Sequence, residues 1–111
     1  MVRTMDDIRA AAEKQGWSVS FGVQDGERYA EFEAYSPAGE DLCFTEFYNN
    51  VKDLPDRLYE RHVDFDPDEH AVEWYGRNNG EPSSLRDLLE DAEAIEEMIL
   101  DLARALDAWG G

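Results

Sequence analysis

The sequence predicts an α+β fold: an N-terminal helix, a three-stranded antiparallel meander, then two or three helices ending in a long amphipathic acidic helix. Three observations predict it. Between Trp17 and Tyr48 apolar residues recur at every second position, the period of strands with one buried face. On either side of that stretch the spacing changes to three and four, the period of a helix. The points where strands must reverse carry turn formers, Asp25-Gly26 and Ser36-Pro37-Ala38-Gly39.

The elements follow in order. Thr4 precedes Met5, Ile8, Ala11 and Ala12, with Asp6 and Asp7 in the first turn and Gly16 beyond the end, the marks of a short capped helix. Trp17, Val19, Phe21 and Val23 then alternate with polar or small residues as a first strand. Asp25-Gly26 supplies the positive-φ pair of a tight hairpin, and Tyr29 to Tyr35 return. After the Pro37 and Gly39 turn, Leu42 to Tyr48 form the third strand, closed by Asn49-Asn50.

Helical spacing resumes with Val51, Leu54, Leu58, Tyr59 and Val63, and Pro55 restricts the helix start to about Leu54. Asp66 and Pro67 open another short helix through Tyr75, followed by a polar loop from Gly76 to Pro82. Ser83 or Ser84 caps the last helix. Leu85, Leu88, Ala92, Ile95, Ile99, Leu102, Leu106 and Trp109 lie on one stripe of it. No repeat or linker divides the chain, so residues 1–111 read as one domain.

The chain carries 27 Asp and Glu against 10 Lys and Arg, a formal charge of -17. Such an excess destabilises a compact state by self-repulsion, and it opposes direct contact with a phosphate backbone. Apolar residues at 42% supply enough surface for a core, so the acidity is not that of a disordered tail. Cys43 is the only cysteine; in its strand it is expected as a buried, inert thiol. No membrane-length apolar run or leader-like segment occurs, and the expected location is cytoplasmic.

On the side of the last helix opposite the apolar stripe fall Asp87, Glu90, Glu93, Glu97 and Asp101, flanked by Asp91. Successive members rise by about 4.5 to 6 Å, the scale of phosphate spacing along a nucleic-acid strand. Arg86 and Arg104 lie near the edge of this ridge. Asp64, Asp68, Glu69 and Glu73 crowd the preceding segment and are expected to extend the negative surface if the two helices pack side by side. These ten acids are the candidate partner-binding set. A second patch, Tyr29, Glu31, Glu33 and Tyr35, shares one strand face and suits arginines of a partner, or is simply a solvated sheet face with aromatic cross-strand packing.

Motifs for catalysis or metal fail on their own terms. Asp64-Phe65-Asp66-Pro67-Asp68 opens like a calcium loop, but Glu69 stands where the turn glycine belongs and Tyr75 where the bidentate glutamate belongs. His70 and Glu73, with His62 and Asp66, offer metal-ligating atoms without a recognised spacing. No nucleophile elbow occurs. The expectation is a protein that is not an enzyme and holds no metal and no cofactor.

In size, charge and ridge the chain resembles the small acidic inhibitors of bacterial defence, antirestriction and anti-CRISPR proteins of phages and mobile elements. The run Tyr35-Ser36-Pro37-Ala38-Gly39-Glu40-Asp41-Leu42-Cys43-Phe44 is similar to segments of uncharacterised proteins of such elements. The resemblance implies a DNA mimic that occupies the cationic nucleic-acid groove of a CRISPR or restriction complex and blocks DNA binding. It carries over no residue roles. Two other readings stand beside it: a protein-interaction adaptor, monomeric or homodimeric through the C-terminal helix, and a domain whose acidity is an adaptation to salt. None of these touches nucleic acid directly or enters a membrane.

Overall fold

A computed structural model describes residues 1–77 and 84–110. The elements are α1 (Met5–Lys14), β1 (Ser18–Gln24), β2 (Glu27–Tyr35), β3 (Asp41–Tyr48), α2 (Leu54–Asp64), α3 (Pro67–Arg77) and α4 (Leu85–Asp107). The expected α+β order is shown, with a helix, a three-stranded antiparallel sheet, and helices ending in a long C-terminal one. The expected loop from Gly76 begins two residues early, since α3 continues through Arg77. Residues 78–82 of that loop, and Ser83, lie outside the described residues.

The local chemistry explains each boundary. Thr4 caps α1 by accepting from Asp7 N, while the Asp7 carboxylate accepts from Thr4 N, a reciprocal capping box. Gly16, at φ +85°, ends the helix in the left-handed conformation and turns the chain into the sheet. Asp25 and Gly26 both have positive φ, 51° and 81°, as a two-residue hairpin requires. A 3-10 turn, Val51–Asp53, leads into α2, where Pro55 occupies the first turn. Ser84 caps α4 through Asp87 N.

The sheet order is β1-β2-β3, so β2 is central and β1 and β3 are edges. Val19, Phe32 and Phe44 share one face by register, and the helices cover that face. α4 lies at the centre of the helical layer, packed on α1, α2 and α3. Its stripe of Ile95, Ile99, Leu102 and Leu106 joins Trp17, Phe32, Leu54 and Leu58 in the main core. Each such fully buried aliphatic side chain contributes about 1.5 to 3 kcal/mol. A smaller cluster, Ala71, Leu88 and Ala92 with Trp74 and Leu89 against it, fixes α3 to the first half of α4. From Leu88 to Leu106 the stripe expected to serve either a core or a dimer seam is therefore spent on the chain's own core, whereas Leu85 at its start is exposed; a homodimer built on the buried part would have to open it.

Candidate interaction surfaces

Burial of the stripe fixes the outward face of α4. Asp87, Glu90, Glu93, Glu97 and Asp101 are all exposed, as the helical spacing requires. Arg104 approaches Asp101 at 3.9 Å, which offsets charge at the C-terminal end. The one-signed part of the ridge thus runs from Asp87 to Glu97.

Asp91 does not belong to it. The residue is only 5% exposed, and its carboxylate accepts from Ser36 Oγ at 2.7 Å and from Ala38 N at 2.8 Å. It ties the β2–β3 turn to α4. At about 100° per residue Asp91 lies only 40° from Ile95 on the helix surface, so its place at the edge of the buried arc was readable from the spacing.

The four acids expected to extend the ridge separate. Asp68, at the start of α3, faces Glu93, Glu96 and Glu97 across an open groove of about 590 Å³. Glu96 is an addition that the opposite-face criterion passed over, because it points sideways toward α3; it also meets His62 Nε2 at 3.9 Å. Asp64 instead lines a depression with Glu46, Glu60, Arg61 and Phe65. Glu73 faces a different cleft, with His70 and Glu40. Glu69 is exposed on α3. Only Asp68 is placed against the ridge by a shared groove.

The calcium-like run is a helix start. Asp66 Oδ1 accepts from Asp68 N at 3.1 Å and from Glu69 N at 3.4 Å, satisfying donors that α3 would leave free. The histidines part company. His70 Nε2 meets Glu40 Oε2 at 2.7 Å, whereas His62 turns to Glu96. Among the described residues, no three His, Cys, Asp or Glu side chains converge as a metal cage would require.

Cys43 corrects the expectation of a buried thiol. Strand alternation puts it beside Glu33 on the uncovered face of the sheet, where it is exposed and its Sγ lies 3.3 Å from Glu31 Oε1. Partial desolvation, then the hydrogen bond and charge of Glu31, push the thiol pKa up. The thiolate is disfavoured and the group is a poor nucleophile at neutral pH.

That uncovered face is the second surface. Tyr29 and Phe47 oppose each other across β2 and β3 with ring centroids 6.0 Å apart in an edge-to-face pair. Gly22 on β1 leaves room for the Tyr29 ring, whose hydroxyl would lie 2.3 Å from a Cβ at that position. Tyr35 is 66% exposed. Glu27, Glu31, Glu33 and Asp41 stand between and beside the rings, and the register places no Lys or Arg of the three strands on this face.

A cleft opens between β3 and the helices, with a volume of about 310 Å³. Leu42, Phe44, Phe65, Ile95 and Ile99 give it an apolar lining, and Glu40, Asp41 and Glu73 add charge. Trp17, 2% exposed, also lines it, and its buried Nε1 has no hydrogen-bond partner among the described residues. Arg61 bounds the cleft, pairing with Glu46, donating Nη2 to Thr45 O at 3.2 Å and standing 4.4 Å from the Phe44 ring centroid.

Comparison with known protein families, with characterised proteins and with solved structures finds no match to this chain. Among the described residues no helix is long and apolar enough to cross a membrane.

Proposed function

We propose that the chain is a single-domain, DNA-mimicking inhibitor that acts in the cytoplasm. It binds the cationic nucleic-acid groove of a bacterial defence complex, of CRISPR or restriction type, and blocks entry of DNA. The observation that supports the reading is the exposed column Asp87, Glu90, Glu93 and Glu97, held straight by a buried stripe and widened by Asp68 across the groove. Lysines and arginines that hold phosphates in such a complex meet carboxylates at comparable intervals. Long-range attraction then speeds association and makes affinity fall with salt.

The test is retention of proteins from a bacterial lysate on the immobilised chain at low and moderate salt, followed by elution with duplex DNA. The reading expects nucleic-acid-binding proteins that DNA displaces. Retention that DNA leaves unchanged, or retention of no such protein, sinks it. Reversal of Glu90, Glu93 and Glu97 to Lys is expected to abolish retention while leaving the circular dichroism spectrum unchanged, since all three side chains are exposed.

A further inference from the structure

The hydrogen-bond phase of the sheet can be followed from its hairpin. A two-residue turn with both φ values positive closes on a hydrogen-bonded pair, here Gln24 and Glu27. Bonded and non-bonded rungs alternate in an antiparallel ladder, so Ser20 and Glu31 are bonded and Glu31 turns its backbone toward β1. Thr45, opposite Glu31 on β3, therefore points its backbone groups away from the sheet. The bond from Arg61 to Thr45 O independently places that carbonyl within reach from outside the ladder. By the same period of two, the N–H and C=O of Asp41 and Cys43 face outward along the β3 edge.

An outward row of backbone groups is a template for another strand. Here it borders the 310 Å³ cleft. α3 packs on α4 rather than on β3, and α2 approaches β3 around Thr45 and Glu46, so the part of the edge that borders the cleft is the stretch from Asp41 to Cys43. The His70–Glu40 contact marks one end of the opening and the Arg61–Glu46 pair the other.

We propose that the β3 edge and this cleft form a docking groove that takes a short extended peptide of alternating apolar and basic residues as a fourth strand. The alternation follows from the two sides of the edge. A guest residue facing the helices meets Phe44, Phe65 and Ile99, whereas its neighbours face the open sheet side beside Glu33 and Asp41. Glu73 adds negative charge at the cleft. Backbone bonds supply affinity and the alternate side chains supply selectivity. This groove is separate from the α4 ridge and does not depend on its role.

The test uses the isotope-labelled full chain and the synthetic peptide acetyl-Val-Arg-Val-Arg-Val-amide, read by amide hydrogen exchange. In the free protein the Leu42 and Phe44 amides, bonded to β2, are expected to exchange slowly and those of Asp41 and Cys43 fast. The peptide is expected to slow Asp41 and Cys43 by at least ~10-fold. Cys43→Pro removes an outward donor and spares the ladder to β2, an edge position that proline tolerates, and it should lose the peptide. Glu73→Arg should weaken binding, whereas the Glu90, Glu93 and Glu97 reversal should leave protection of Asp41 and Cys43 in place, so failure of the ridge reading and of this one are distinguishable. The proposal is overturned by unprotected Asp41 and Cys43 amides at saturating peptide or by equal protection from a Val-Glu-Val-Glu-Val peptide. Protection that grows with protein concentration alone also overturns it, by assigning the edge to a second copy.

Discussion

The outer face of α4 and the open face of the sheet carry the same sign of charge but offer a partner different things. The α4 ridge has carboxylates at helical intervals and no exposed aromatic among Asp87, Glu90, Glu93 and Glu97. The sheet face interleaves Glu31 and Glu33 with Tyr29, Tyr35 and Phe47, and beside it lies an edge with outward backbone groups. A ridge of charge alone attracts over distance and is screened by salt. A surface that adds ring area and backbone bonds keeps affinity when charge is screened. Net charge therefore does not distinguish the two surfaces; what accompanies the charge does.

The largest expected effect separates the ridge from the acid next to it. Asp91→Ala leaves Ser36 Oγ without its carboxylate acceptor and Ala38 N without a partner, inside a buried contact between the β2–β3 turn and α4. The loss should be about 3 kcal/mol in urea denaturation. Glu90→Ala, one residue away and exposed, should change stability by no more than about 0.5 kcal/mol. Equal effects would place Asp91 back among the surface acids.

Salt ranks the two surfaces next. Partner affinity through the ridge should weaken by about tenfold between dilute and physiological salt. The alternating peptide on the β3 edge should lose less, because part of its binding is uncharged. Isothermal titration at two KCl concentrations compares them, and equal salt slopes would mean that the edge works by charge alone.

A smaller effect tests the sheet face by itself. A double-mutant cycle of Tyr29→Ala and Phe47→Ala should return a coupling of about 0.5 to 1 kcal/mol, the worth of a cross-strand aromatic pair. Gly22→Ala should reduce that coupling, since its methyl group displaces the Tyr29 ring. An undiminished coupling would show that the ring finds its partner from another rotamer.

How far the sequence anticipated this follows from which contacts are local. Period two, the Asp25-Gly26 turn and the apolar stripe of α4 are local patterns, and they appear where expected except at their ends, where Val23 and Leu85 are exposed and Trp109 lies beyond the end of α4. The cap at Thr4 and the start at Asp66 are equally local, because a cap and its donors lie within three residues. Asp91 and Cys43 were misplaced for opposite reasons. Asp91 is polar yet buried, because a turn 53 to 55 residues away supplies its donors. Cys43 is apolar in character yet exposed, because helices cover only one face of the sheet. The His70–Glu40 contact and the cleft beside β3 depend on how α3 sits on α4, which no local pattern encodes. Of the ten candidate acids, five occupy the predicted ridge, Asp68 faces it, and Asp64, Glu69, Glu73 and Asp91 serve other surroundings.

The smallest expected effect concerns an acid that is only half-buried, between the ridge acids and Asp91, but tied to the fold as Asp91 is. Asp7 accepts from the backbone N–H of Arg3 at 2.9 Å and of Thr4 at 3.2 Å. The Arg3 bond is the leading reason that its pKa falls below the ordinary 3.8. A carboxyl lowered in the folded state contributes stability when ionised in both states, and the contribution is lost as pH falls through the folded value. Asp7→Asn should therefore melt below the parent at neutral pH. The gap should close as pH drops beneath 3.8, because protonation removes the charge the variant already lacks. Thermal melts across that range decide it. A gap that persisted in acid would assign the role of Asp7 to shape and hydrogen bonding, and would leave the carboxylate charge at the start of α1 as dispensable to stability as the charges on the ridge.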